Sequence, residues 1–235
     1  MTSNYDFKLY YFGIAGKGEE IRWAFHYLGI PFEDYRFTFK EFQELKASGT
    51  LPFGQVPVLK VTNKETGQET LLCQTVAIMR FIAKIGGQQE NNKKSSFYPS
   101  CPIAAAKVDA ILDQEADAYQ SFRAMNYKDR FGFKEMSEED QQKYKEVINQ
   151  EVIPAHYEKL STLINNGGTG WLAGTEGPSL ADFHWVSTLM ACQRGWTGKE
   201  ARLTKELEAL VEKFLAVPEI ADYYKNNEFK IWWKN

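Results

Sequence analysis

Residues 8–24 read "KLYYFGIAGKGEEIRWA", an apolar strand pattern that runs into three glycines and then an acidic helix start. Glycine-rich turns between a strand and a helix expose backbone N–H groups at the positive end of a helix dipole, a ready place for a phosphate. The spacing argues otherwise. A dinucleotide fingerprint runs G-x-G-x-x-G, whereas Gly13, Gly16 and Gly18 run in the opposite order, and a phosphate loop needs Lys followed by Ser or Thr after its last glycine. Glu19 and Glu20 stand there instead. Two carboxylates in the first helical turn complement the dipole and repel a phosphate, so the turn suits a less anionic occupant.

Outward from this stretch, strand and helix signals alternate. Phe7 to Phe12 reads as a strand, and Ile21, Ala24, Phe25 and Leu28 recur at helical spacing before Gly29 ends the helix. Phe32 to Phe37 alternates like a second strand, Phe39 to Ala47 reads as a short helix, and "VPVLKV" and "ETLLC" read as a hairpin across "TNKETGQ". A helix over about Thr75 to Ile85 follows. The order β-α-β-α-β-β-α predicts an α/β thioredoxin-like domain over 1–86. The polar stretch "GGQQENNKKSSFYPSCP" predicts a linker over 87–102. Beyond it, 103–235 reads as an all-α domain: a long helix from about Ile103, another from about Glu138 to Ile164, and a third opening at Ser179. A last amphipathic run carries Leu203, Leu207, Leu210, Val211 and Phe214. "SLAD" sets Ser179 as a helix cap with Asp182 as the acid of a capping box, a folding signal.

The chain has 235 residues, 43% hydrophobic and 25% charged, with a net charge of -3. That balance is ordinary for a soluble globular protein and supplies no basic field for nucleic acid or an acidic membrane surface. "MTSNYDFK" lacks the basic and apolar regions of a signal peptide, and no apolar run approaches the roughly 18 residues that span a bilayer, so the expected location is cytoplasmic. Cys73, Cys101 and Cys192 are odd in number and show no C-x-x-C spacing; with His26, His156 and His184 equally scattered, neither a disulfide framework nor a metal site is expected.

The segments "LYYFGIAGKGEEIRWAFHYLGIPFEDYRF", "LPFGQVPVL", "LCQTVAIMRFIAK", "VDAILDQEAD" and "PSLADFHW", with the YP-containing linker, stand in the order and spacing of glutathione S-transferases, and the chain resembles the tyrosine-type sigma class most. The resemblance implies a catalytic tyrosine at Tyr11, in a turn that would hold a thiol beside a phenol. Glutathione is then a co-substrate. A free thiol with a pKa of about 8.5 is only a few per cent thiolate at pH 7, and the thiolate is the nucleophile. A neutral phenol donating a hydrogen bond to sulfur favours the charged form. Taken from the residues alone, Tyr10 and Tyr11 read more readily as strand aromatics, and the surrounding motif reverses that preference.

The resemblance also implies a tripeptide site. Val56, after Gln55, pairs its backbone with the cysteinyl unit as an added strand, ahead of a cis Pro57. Gln74 and Thr75 hold the γ-glutamyl carboxylate at a helix mouth. Lys46 takes the glycyl end, and Lys17 and Phe42 stand where the family usually has arginine and, in sigma enzymes, tryptophan. One flexible point charge replaces a planar fork at Lys17, and Phe42 lacks the indole donor. Both changes point to weaker glutathione binding. Thr75 keeps the hydroxyl of the usual serine.

Asp109, Asp113 and Asp117 share one helix face. Such a stripe reads as solvated surface, whereas the resemblance implies that Asp117 reaches the glutathione amino group across a homodimer interface, with Phe53 as an aromatic key into the partner. Phe12, Ile14, Tyr119, Phe122 and Arg123 are candidates for a pocket holding small hydrophobic electrophiles, and Trp232 and Trp233 for a cover over it. Ala124, seven residues after Asp117, replaces the pocket tryptophan of prostaglandin D synthases and disfavours that activity. The rival readings are a non-catalytic transferase-like module and a glutaredoxin-like thiol transferase, which needs Cys in place of Tyr11.

Overall fold

The computed structural model of the chain describes residues 4–87, 94–197 and 202–226. They form two compact units, one within Met1–Tyr98 and Leu215–Asn235, the other within Pro99–Phe214. In the first unit the order is β1 (Tyr5–Phe12), α1 (Gly16–Leu28), β2 (Glu33–Phe37), α2 (Phe39–Ala47), β3 (Val58–Asn63), β4 (Glu69–Cys73) and α3 (Thr75–Gly87). The four strands lie in the order β2-β1-β3-β4, with β1 parallel to β2 and the other neighbours antiparallel. This is the β-α-β-α-β-β-α pattern expected from the sequence.

Burial alternates along β1, so Phe7, Leu9 and Tyr11 share the buried face and Tyr10 points the other way. Tyr10 packs against Tyr35 with ring centroids 5.3 Å apart. The apolar stripe of α1, with Ile21, Trp23, Ala24 and Phe25 fully buried, packs against α3 beneath the sheet. Thr38 caps α2 in a reciprocal box with Glu41, and the Asn63 side chain accepts from the N–H groups of Glu65 and Thr66 to fix the β3–β4 turn.

Among its described residues the second unit has helices and no strand: α4 (Pro102–Asn126), α5 (Glu138–Val147), α6 (Ile153–Gly167), α7 (Leu180–Gln193) and most of α8 (Lys205–Leu215). The expected continuous helix over 138–164 is interrupted by a π-helical turn at Ile148–Val152. Pro154 supplies the reason: it has no N–H for the carbonyl of Gln150 and its ring crowds that carbonyl, so the helix widens just before it. The backbone stays helical through the turn. α7 is buried on nearly every side, and its start is fixed as "SLAD" predicts. Asp182 accepts from the Ser179 N–H (2.7 Å) and also from the Leu172 N–H (2.8 Å). Trp185 Nε1 donates to the Ile111 carbonyl (2.7 Å) and ties α7 to α4.

The grouping departs from the expected boundaries at 86 and 103. A further helix, α9 (Pro218–Asn226), packs on α1 and so belongs with the sheet. The sequence reading contained no such helix.

Candidate active site

The strand register brings the expected glutathione residues to one end of the sheet. Tyr10 pairs with Val58 and Val58 with Cys73 as the last pairs of their ladders, so Tyr11, Pro57 and Gln74, each the next residue of its chain segment, lie at the same end of the sheet. The Val56–Pro57 peptide is cis. Gln74 has φ 70°, the sole non-glycine left-handed backbone among the described residues, and this sharp corner opens the first turn of α3 at Thr75 towards the same end. On the other flank Phe12 pairs with Phe37 and packs its ring edge on Phe42 at 5.2 Å. Lys46 runs along Gly54, beside Gln55: a β-carbon built on Gly54 lies 3.5 Å from the lysine Cε.

Within this end the Tyr11 hydroxyl is held from behind. The backbone N–H of Lys17, in the first turn of α1, donates to its oxygen at 3.0 Å. The glycines of the opening stretch serve this contact. Gly16 has φ 44°, and a β-carbon there would lie 2.5 Å from the Tyr11 oxygen; one on Gly18 would lie 2.4 Å from the ring. The glycine turn therefore holds a tyrosine ring against a helix N-terminus, where a phosphate loop would leave the N–H groups to a ligand. Burial pushes the Tyr11 phenol up from its ordinary range, against the opposing Lys17 N–H and the charges of Lys17 and Arg22. At pH 7 Tyr11 is a neutral donor.

Glu19 and Glu20, read from the sequence only as a complement to the helix dipole, are both fully buried, as is Arg22. Lys17 Nζ approaches Glu20 at 3.5 Å, and Arg22 pairs with Glu19 (3.2 Å) and Asp34 (3.0 Å). Solvent exposure of a helix start cannot be read from a dipole pattern. One signal was available: a lone arginine between Ile21 and Trp23, in a helix otherwise apolar on that side, needs a buried carboxylate.

Comparison with known proteins identifies the family. Residues 7–84 match the family description "Glutathione S-transferase, N-terminal domain" and residues 125–227 match "Glutathione S-transferase, C-terminal domain". A probable glutathione S-transferase 8 of Caenorhabditis elegans is 33% identical over 168 residues, covering 72% of this chain and 71% of the relative. The chain belongs to the glutathione S-transferase family. A human hematopoietic prostaglandin D synthase is 29% identical over 223 residues, 94% of this chain and 96% of that one. Among solved structures, a nematode-specific glutathione S-transferase of C. elegans superposes with a TM-score of 0.72 at 26% identity, covering 95% of this chain and 97% of the other.

In this glutathione S-transferase the expected acceptor pocket needs correction. Tyr119 and Phe122 have 0% and 1% exposure and belong to the helical core. The Tyr119 hydroxyl meets that of Tyr157 (2.7 Å) and accepts from Cys192 Sγ (3.2 Å), and the Tyr119 and Phe122 rings both pack on Trp196. Aromatics one turn apart on a long helix satisfy a core stripe as well as a pocket wall, and burial decides for the core. Arg123 is half-buried, donating to the buried Glu115 (2.6 Å), which also accepts from Thr188 (2.8 Å). Ile14 is 41% exposed at the Tyr11 turn, and Phe12 is half-buried there. Asp117 is exposed on α4 and Phe53 is 63% exposed on its loop. Trp232 and Trp233 lie outside the described residues. Among the described residues no group of three or more His, Cys, Asp or Glu is arranged to hold a metal, and no helix is long and apolar enough to cross a membrane.

Proposed function

We propose that this transferase binds glutathione at the sheet end formed by Tyr11, Val56, Pro57, Gln74 and Thr75, and that Tyr11 activates the thiol. The supporting observation is the direction of the Tyr11 hydroxyl's bonding. Its oxygen accepts from the Lys17 N–H, which leaves the phenolic proton for an external acceptor. A sulfur anion beside it accepts that proton's hydrogen bond and is favoured over the thiol. Charge-assisted bonds of this kind are about twice as strong as neutral ones.

Around this hydroxyl, each remaining group has a chemical task. The Val56 backbone offers its N–H and C=O to the tripeptide as an added strand. The α3 N-terminus and the Gln74 and Thr75 side chains supply donors for a carboxylate. Lys46 and Lys17 supply cationic partners for the glycyl end, and Phe42 supplies an apolar wall without a donor. Phe12 and Ile14 present an apolar edge at the turn for the electrophile. Attack by the thiolate on an electrophilic carbon forms the C–S bond and expels the leaving group, with the thiol proton already passed to solvent. Peroxide reduction and isomerisation would use the same thiolate.

We also assign Asp117 and Phe53 to a homodimer, Asp117 reaching the partner's glutathione and Phe53 inserting as the aromatic key; an exposed loop phenylalanine supports the latter. A cytoplasmic setting suits the free thiols of Cys73, Cys101 and Cys192. Retention on immobilised glutathione together with turnover of a generic aryl halide tests the whole reading. Retention without turnover across a panel of halides, peroxides and enones would favour a non-catalytic binding module.

A further inference from the structure

The Tyr11 turn rests on an ionic cluster that thiol activation does not use. Arg22 Nη1 donates to the Ile14 carbonyl (2.9 Å) and Nη2 to the Phe12 carbonyl (3.1 Å), so one guanidinium bridges the backbone on either side of Gly13. Its Nε donates to both Asp34 oxygens (3.1 and 3.0 Å), and Nη1 also reaches Glu19 Oε2 (3.2 Å). The planar fork is thereby fixed on two sides by carboxylates and on the third holds the turn. The remaining Glu19 oxygen, Oε1, accepts from the Tyr223 hydroxyl at 3.0 Å.

Tyr223 comes from α9, 204 residues along the chain from Glu19. Its ring is already accommodated by packing: centroids lie 4.8 Å from His26 and 5.1 Å from Tyr224, and the side chain is 3% exposed. Packing needs the ring and not the hydroxyl. The hydroxyl's bond is to the carboxylate that steadies Arg22. Burial pushes the Glu19 carboxyl up, and the Arg22 charge and the Tyr223 and Arg22 hydrogen bonds oppose this. Without the Tyr223 donor, Glu19 is left with one oxygen buried and unpaired, and it can turn or take a proton.

We infer that Tyr223 is a positioning residue for Tyr11. Through Glu19 and Arg22 it holds the Phe12 and Ile14 carbonyls, and with them the turn that sets the Lys17 N–H behind the catalytic hydroxyl. The inference rests on Tyr11 being the thiol-activating group.

Tyr223→Phe in the full chain removes the hydroxyl and keeps the ring. Turnover should fall about three- to tenfold, glutathione affinity should change little, and the pKa of bound glutathione, followed by thiolate absorbance, should move towards its free value. Lower thermal stability with unchanged turnover and thiol pKa would make Tyr223 merely structural and overturn the inference. Glu19→Gln keeps the shape and should move the thiol pKa at least as far; an unchanged value overturns the inference even if Tyr223→Phe does not fold. A readout without glutathione separates this from failure of the activation reading. The alkaline titration of Tyr11, taken as the spectral difference from a matched Tyr11→Phe protein, should move up in Tyr223→Phe as the Lys17 N–H contact loosens. No movement would overturn the role of Tyr223 whatever the thiol does, whereas a normal thiol pKa in the unmodified protein would remove only Tyr11 from its assigned role.

Discussion

Replacing Gly16 by alanine sets two costs against each other at one atom. The backbone there has φ 44°, and holding an L side chain in the left-handed region costs about 1–2 kcal/mol. The new β-carbon would also stand 2.5 Å from the Tyr11 oxygen, so the phenol must retreat by about 1 Å to reach ordinary contact. That retreat stretches the 3.0 Å bond from the Lys17 N–H past hydrogen-bonding reach and misplaces the hydroxyl. A hydrogen bond to a charged partner contributes about 1.5–3 kcal/mol, so turnover of an aryl halide should fall roughly ten- to a hundredfold, with the KM for glutathione little changed. Chemical denaturation should show the backbone part as a separate loss of about 1–2 kcal/mol. In a Tyr11→Phe background the clashing oxygen is gone and the next atoms lie 3.3 Å from the β-carbon. Gly16→Ala should then lower stability but no longer lower turnover. Equal fold-losses of turnover in both backgrounds, or full turnover in Gly16→Ala, would refute the reasoning that this glycine exists for the phenol.

The pH dependence follows from the raised Tyr11 phenol. The folded protein keeps Tyr11 neutral above the unfolded value near 10, so kcat/KM should climb through the thiol pKa and show no fall from Tyr11 below about pH 10. Above that the unfolded chain ionises first, and the Tyr11 contribution to stability declines with rising pH. Tyr11→Phe should move the rising limb up towards about 8.5 and cut turnover about ten- to a hundredfold. Asp117→Asn should raise the KM for glutathione severalfold with the fold intact, while Asp109→Asn does little; equal effects would point to general electrostatics. Phe53→Ser should weaken self-association, and an unchanged dimer by sedimentation would remove Phe53 from the interface. Arg123→Ala removes the charged donor of the buried Glu115 carboxylate, which keeps the Thr188 hydroxyl and has His184 Nε2 at 3.5 Å, and should cost about 1.5–3 kcal/mol in denaturation, against near neutrality if the pair is solvated.

What the sequence disclosed and what it withheld divide along physical lines. Period-two and helical periodicities located β1 to β4 and the core stripe of α1, because side-chain direction is written into local spacing. The Ser179–Asp182 box was legible for the same reason: both partners lie within one turn. The glycines announced a close approach but not its object, since a tyrosine ring and a phosphate ask the same of Gly16. Burial is not local. Glu19, Glu20 and Arg22 look like a solvated helix start until the sheet and α9 enclose them, and Tyr119 and Phe122 read equally as pocket or core. Nothing near Glu19 in the chain points to Tyr223, because the pair exists only through tertiary closure.

That closure has a consequence for the order in which the protein is made. The strands of the sheet unit leave the ribosome before the helical unit, yet α9, which completes the sheet unit, leaves after it. The intervening Pro99–Phe214 takes roughly 6–23 seconds to translate at about 5–20 residues per second. Throughout that interval α1 carries Glu19 without its Tyr223 partner and an apolar flank without its cover. The helical unit, by contrast, has all its sequence in hand before the sheet unit does. Of the two, the unit that begins first is finished last, and the newborn chain spends that interval with a catalytic turn whose anchor has not yet been made.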